Sequence, residues 1–178
     1  MERPDARVEP LISADEIRTR IDDLAARITN DMGPRVVLVA ILKGSFIFAA
    51  DLVRGLHYAG MEPRIDFLTL SSYGKGKTSS GEVTVLRDIS EEVAGCKVLL
   101  IDDILESGTT LSFARQLMLS RGAVDVRLCV LLDKQGKRRN DLEADYVGFV
   151  CPDKFVVGYG LDYAHYFREL PYIGAVVD

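Results

Sequence analysis

Val98-Leu-Leu-Ile-Asp-Asp-Ile-Leu-Glu-Ser-Gly-Thr-Thr110 is the stretch on which the fold turns. Val98 to Ile101 is wholly apolar, as a strand covered on both faces must be. The apolar run stops at Asp102-Asp103 and passes through a small polar turn. It then continues as Leu111 to Arg121, a helix with Gly122 as its C-terminal stop. In open α/β sheets, ligands sit beyond the carboxyl ends of the strands. Here Ser107, Gly108, Thr109 and Thr110 can present backbone N–H groups and hydroxyls to an anion. The following helix adds its positive end. Asp102 and Asp103 stand just upstream, where carboxylates can accept hydrogen bonds from sugar hydroxyls. On these residues alone, a plain βα turn with Asp as turn former and Thr as helix cap has equal standing. A metal-dependent phospho-acceptor domain also fits the paired acids.

Working outward, the same alternation recurs. Ser13 and Glu16 have capping-box spacing, and Ile12 and Ile17 can close a hydrophobic staple over a first helix. Ile17, Ile21, Leu24 and Ile28 follow helical spacing, and Gly33-Pro34 ends the helix. Val36 to Ile41 predicts a second strand buried on both faces. Ser45 is placed to cap the next helix, with Phe46, Ala49, Ala50 and Val53 expected on its inner side. Further strands are expected at Ile65 to Leu70, Val83 to Leu86, Val126 to Leu132, Val147 to Val150, Val156 to Val157 and Ile173 to Val177. Met1 to Pro10 is polar and has no apolar signal core. Strands alternating with helices predict right-handed βαβ units, a mainly parallel sheet flanked by helices, and one α/β domain over residues 1–178.

Composition narrows the function classes. The 178 residues suffice for one compact core, and a net charge of −5 lacks the broad basic surface of a nucleic-acid binder. A phosphate ligand must then be held by a local site. Cys96, Cys129 and Cys151 form neither a disulfide framework nor a zinc pattern, so they read as small buried residues of a reducing compartment. No apolar run reaches the roughly 20 residues of a membrane helix, and a cytoplasmic location is expected. His57 and His165 stand apart and read as structural or exposed. Gly76-Lys77-Thr78 imitates the end of a Walker A loop. The required earlier glycine is replaced by Ser71, and a strand follows where a helix should.

The stretch 98–110 resembles the phosphoribosyl-pyrophosphate signature of the type I phosphoribosyltransferases. Four other segments match the hypoxanthine(-guanine) branch of that family in order: Leu42-Lys43-Gly44-Ser45, Ser71-Ser72-Tyr73, Leu131-Leu132-Asp133-Lys134, and Pro152 to Tyr163 followed by Arg168. The likeness runs from Ile12 onward. It implies a central parallel sheet with a small hood formed by the N- and C-terminal segments. It implies Mg²⁺-dependent transfer of a phosphoribosyl group from phosphoribosyl pyrophosphate to a 6-oxopurine in purine salvage, with a homodimer or homotetramer as the assembly. The resemblance puts the 5′-phosphate on Glu106 to Thr110 and the ribose hydroxyls on Asp102 and Asp103. It puts pyrophosphate on Leu42, Lys43, Gly44 and Ser45 with Arg168 assisting, and implies a cis peptide between Leu42 and Lys43. Lys134 would donate to the purine 6-oxo group, Phe155 would stack on the base, and the Val156 backbone would meet the purine edge. Asp162, directly or through water, would hold Mg²⁺ with Asp102 and Asp103. The loop at about 72–83, with Ser72 and Tyr73 at its base, would be a mobile lid.

The chain departs from the family pattern twice. The acid pair is usually Glu-Asp but is Asp102-Asp103 here. The acid proposed to handle the purine N7 proton is usually Asp but is Glu106 here. Two rival readings are an RNA-binding regulator built on the same fold and a receiver-type phospho-acceptor domain. Lys134, Phe155 and Asp162 argue against the first, as does the acidic charge. The motif after Cys151 has no use in the second.

Overall fold

The computed structural model describes residues 3–72 and 83–177. Its elements run β1 (Arg7–Ile12), α1 (Ala14–Met32), β2 (Val37–Leu42), α2 (Phe46–Tyr58), β3 (Arg64–Ser72) and β4 (Val83–Arg87). They continue as β5 (Lys97–Leu105), α3 (Thr109–Ser120), β6 (Asp125–Lys134), β7 (Tyr146–Cys151), β8 (Val156–Val157) and β9 (Ile173–Val177). The main sheet has the order β4-β3-β2-β5-β6-β7. Strands β3, β2, β5, β6 and β7 are parallel, and β4 is antiparallel at the edge.

The apolar runs are uninterrupted because both faces of β2 and β5 are covered. Leu38, Ala40, Leu99 and Ile101 join a core with α1 and α2. Val37, Val39, Val98 and Leu100 point the other way, into a core with Leu111, Ala114 and Met118 of α3. Alternate residues thus feed opposite layers, as the period of two requires. From β2 the chain turns through α2 to β3, whereas from β5 it turns through α3 to β6. The two paths diverge between neighbouring parallel strands, which opens a crevice at their carboxyl ends.

Helix α1 begins as expected. The Ser13 side chain accepts from Glu16 N, and Ser13 N donates to Glu16 at 2.8 Å, closing the capping box. Helix α2 corrects the expected facing. Its buried side is Phe48, Ala49, Leu52, Gly55 and Leu56, whereas Phe46 and Ala50 are exposed and Val53 is half-buried. Apolar residues occupy nearly every position from Phe46 to Val53, so periodicity alone leaves the phase open. Ser45 also departs from its expected cap role. It is buried, and its hydroxyl donates back to Ile41 O at 2.5 Å with no cap bond to α2.

Strand β1 is absent from the sequence reading. It pairs antiparallel with β9, Val8 against Val176, and β9 also pairs with β8, which builds a three-stranded sheet from both ends of the chain. Only Ile12 of β1 is buried, so its pattern carries no strand signal and a partner some 165 residues away supplies the ladder. Among the described residues no helix is long and apolar enough to cross a membrane.

Candidate active site

The crevice between β2 and β5 holds a cleft of about 380 Å³. Leu42, Lys43 and Gly44 line one wall, and Asp102 to Gly108 with Thr110 line the other. The Leu42–Lys43 peptide is cis. Gly44 has to be glycine. A Cβ there would lie 1.6 Å from Asp103 Oδ2, because the acid pair packs directly onto the 42–45 loop. From the other side Gly160 meets the same loop, and a Cβ on it would come 2.3 Å from Gly44 O. The loop is therefore clamped between the acids and the segment that follows β8.

Asp102 is 8% exposed. Burial pushes its carboxyl well above the usual carboxylate range, and the neighbouring Asp103 charge pushes it further. Asp103 N donates to Asp102 Oδ1 and Ile104 N to Asp103 Oδ1, each at 2.9 Å. Both acids lie within β5, Asp102 opposite Val130, and the strand runs on to Leu105 before the turn, beyond the Ile101 limit expected from the apolar run. The turn then reaches Gly108, which caps α3 in the left-handed region at φ 81°. Thr109 N donates to Ser107 Oγ, and Arg139 N donates to Ser107 O at 3.0 Å. Gly108, Thr110 and Leu111 line the cleft beside the carboxylates, so the N-terminal end of α3 borders it, an arrangement suited to a phosphate next to a diol.

A second pocket of about 450 Å³ adjoins it, lined by Asp103, Ile104, Glu106, Lys134, Lys137, Asp153, Lys154, Phe155, Val156, Leu161 and Asp162. Asp103, Ile104 and Glu106 line both cavities, so a group held in one reaches a group held in the other across that shared wall. Lys134 is 7% exposed at the end of β6, an unusual burial for a lysine outside a site. Phe155 is 52% exposed and meets Tyr163 edge-on at 5.3 Å, leaving its ring available to a planar ligand. Val156 is buried in β8 opposite Ala175.

The structure distributes the remaining expected residues less simply. Asp162 lines the second pocket, but its Oδ1 pairs with Arg168 Nη2 at 2.6 Å and its Oδ2 accepts from His165 N at 2.8 Å. Arg168 also donates to Gly160 O. Its guanidinium thus braces the segment that clamps Gly44 and does not line the cleft. Ser45 is turned inward, and Thr109 receives the Ser107 hydroxyl. Ser72 ends β3, whereas Tyr73 and the rest of the expected lid to residue 82 lie outside the described residues. Lys137, Asp153 and Asn140 are not among the individual site residues expected from the sequence, because their contacts depend on two loops meeting in space.

A family model described as the phosphoribosyl transferase domain matches residues 13–164. The chain belongs to the phosphoribosyltransferase family. This phosphoribosyltransferase is 44% identical over 173 residues to the hypoxanthine phosphoribosyltransferase of Salmonella typhimurium, and 43% identical to that of Escherichia coli K12. Each match covers 96% of both chains. Among solved structures it is similar to a hypoxanthine-guanine phosphoribosyltransferase of Bacillus anthracis, with TM-score 0.89 and 41% identity over 95% of this chain and 98% of that one. It is also similar to the hypoxanthine phosphoribosyltransferase of Trypanosoma cruzi, with TM-score 0.91 and 38% identity over 99% of this chain and 95% of that one. The α/β fold read from the sequence is the fold of these relatives.

Proposed function

We propose that this phosphoribosyltransferase transfers the 5-phosphoribosyl group of phosphoribosyl pyrophosphate to hypoxanthine, and also to guanine, in purine salvage. The observation that carries this reading is the shared wall. Asp103 and Glu106 separate a cleft built for phosphate and sugar from a pocket built for a planar base with a carbonyl. The relatives above, named for hypoxanthine, support the choice of base.

The 5′-phosphate binds the N–H groups of Ser107 to Thr110. The carboxylates of Asp102 and Asp103 accept from the 2′- and 3′-hydroxyls, and the 42–45 loop receives the pyrophosphate. Lys134 donates to the 6-oxo group, Phe155 stacks on the ring, and the Val156 backbone meets the purine edge. These contacts set N9 against the anomeric carbon, where orientation lowers the barrier. N9 supplies the electron pair for the new C–N bond, and the C1–O electrons leave with pyrophosphate. The N7 proton passes to the Glu106 carboxylate and from there to solvent. Asp102, Asp103 and Asp162 are the residues that would hold Mg²⁺, Asp162 through water, since its two carboxylate oxygens already meet Arg168 and His165. Among the described residues no three His, Cys, Asp or Glu side chains converge as a ready metal cluster, so oxygens of the substrate would have to complete any site. Bound Mg²⁺ would supply charge neutralisation for the departing pyrophosphate. The enzyme would work in the cytoplasm as a homodimer or homotetramer. The test is product analysis with hypoxanthine, phosphoribosyl pyrophosphate and Mg²⁺. Inosine monophosphate and pyrophosphate in equal amounts are expected, and no nucleotide product would overturn the reading.

A further inference from the structure

Glu106 is one methylene longer than the aspartate usual at its position, and that methylene adds rotamer freedom. A freer carboxylate has to be held if it is to meet a proton at one place. In the structure it is held. Lys137 Nζ lies 3.3 Å from Glu106 Oε1 and 2.9 Å from Asp153 Oδ1. The three residues come from three segments: the phosphate turn after β5, the loop between β6 and β7, and the loop between β7 and β8. All three line the base pocket.

An exposed lysine on a wandering loop would contribute little. This loop is fixed to the turn that carries Glu106. Arg139 N donates to Ser107 O at 3.0 Å, two residues beyond Lys137. Asn140 occupies the space at Gly108, where a Cβ would lie 2.3 Å from Asn140 Oδ1. The backbone beneath Lys137 and the backbone beneath Glu106 are therefore in register.

We propose that Lys137 is a positioning residue for Glu106: tethered by Asp153, its ammonium holds the Glu106 carboxylate in place at the rim of the base pocket, where it takes the purine proton. The proposal rests on the phosphoribosyl-transfer reading above. The charged groups that share the pocket with Glu106 are Asp103 of β5, Lys134 of β6, Lys137, Asp153 and Lys154 of the two loops, and Asp162. Hydrogen bonding to Asp153, then to Glu106, pushes the Lys137 ammonium above its ordinary value, so it stays cationic through the assay range. Lys137 in turn holds Asp153 below the usual carboxylate range. Without Lys137, Glu106 loses the cation that fixes its carboxylate and regains the rotamer freedom of its longer side chain.

The test is the single-turnover rate and the KM for hypoxanthine in wild type, Lys137→Met, Lys137→Arg and Asp153→Asn. Thermal melts check that each variant is folded. Lys137→Met is expected to slow the single-turnover step by roughly five- to tenfold with KM nearly unchanged, because a misplaced carboxylate meets the proton less often, and Lys137→Arg is expected to restore most of the rate. Asp153→Asn, which removes the tether, is expected to slow the step in the same direction and by less. In a Glu106→Gln background, adding Lys137→Met should leave the single-turnover rate within about twofold, since the group it positions is gone. A wild-type single-turnover rate in Lys137→Met overturns the proposal. So does a full Lys137→Met loss in the Glu106→Gln background, or a Lys137→Met effect confined to KM. If wild type itself gives no nucleotide from hypoxanthine, the underlying reading fails, and that outcome is distinct from all of these.

Discussion

Gly44→Ala tests the junction between the acid pair and the pyrophosphate loop. The added Cβ would lie 1.6 Å from Asp103 Oδ2 and 2.5 Å from its Cγ, whereas ordinary contact begins at 3.4 Å. The carboxylate must therefore retreat by about 1.8 Å, the difference between 3.4 and 1.6. It is the end of a side chain, so it can swing away. In doing so it gives up the bond from Ile104 N at 2.9 Å. A hydrogen bond to a charged group is worth about 1.5–3 kcal/mol, and solvent in the cleft offsets part of that loss. Stability should accordingly fall by no more than about 1–2 kcal/mol. Donor affinity suffers more, because the displaced Asp103 no longer meets a ribose hydroxyl. Loss of that charged hydrogen bond corresponds to roughly a 10- to 150-fold weaker Kd for phosphoribosyl pyrophosphate. Isothermal titration of the donor with Mg²⁺ measures it directly. Asp103→Ala should weaken the donor by a similar factor, and the double variant should be no worse than Asp103→Ala alone, since both act through one carboxylate. Wild-type donor affinity in Gly44→Ala, or full additivity in the double variant, would refute the reasoning.

Lys134→Ala should lower the preference for hypoxanthine over adenine by about ten- to a hundredfold in kcat/KM, because an ammonium offers donors only and suits a carbonyl over an amine. An unchanged ratio would remove Lys134 from the base site. Glu106→Gln should slow the chemical step by about 10²–10⁴ in single turnover with donor Kd nearly unchanged, while Glu106→Asp keeps most of the activity. If Gln reacts as fast as Glu, another group or water takes the proton. Asp102→Asn should stabilise the ligand-free protein increasingly as pH rises. The folded Asp102 carboxyl lies above its unfolded value, so the stability it contributes is complete below about pH 4 and is lost as pH rises through the folded value. Melting curves from pH 4 to 8 in which wild type and Asp102→Asn run parallel would show that Asp102 is not destabilised by burial.

The parts of the fold legible in the sequence are those whose signal is local. Val98 to Ile101 and Val36 to Ile41 had to be doubly covered strands, and Ser13 with Glu16 had to start a helix. The phosphate turn was legible because strand, acids, small residues and helix follow one another directly. What escaped depends on distant partners. Strand β1 exposes most of its side chains and exists because β9 runs beside it. The facing of α2 was hidden because its apolar residues encircle its first two turns, and only the packing of Phe48 and Leu52 fixes the phase. Lys137 is not among the site residues expected from the sequence. Its pairing with Glu106 and Asp153 follows from two loops meeting at the mouth of one pocket. Arg168 was assigned to the pyrophosphate by resemblance, and the structure gives its guanidinium to Asp162 and Gly160.

The measurement that bears most directly on the central claim is kcat/KM for hypoxanthine, guanine, xanthine and adenine, each with saturating phosphoribosyl pyrophosphate and Mg²⁺. A pocket with a buried lysine donor should favour hypoxanthine over adenine by at least about a hundredfold, with guanine also a substrate. Adenine used as readily as hypoxanthine, or no nucleotide from any of the four bases, would contradict the account.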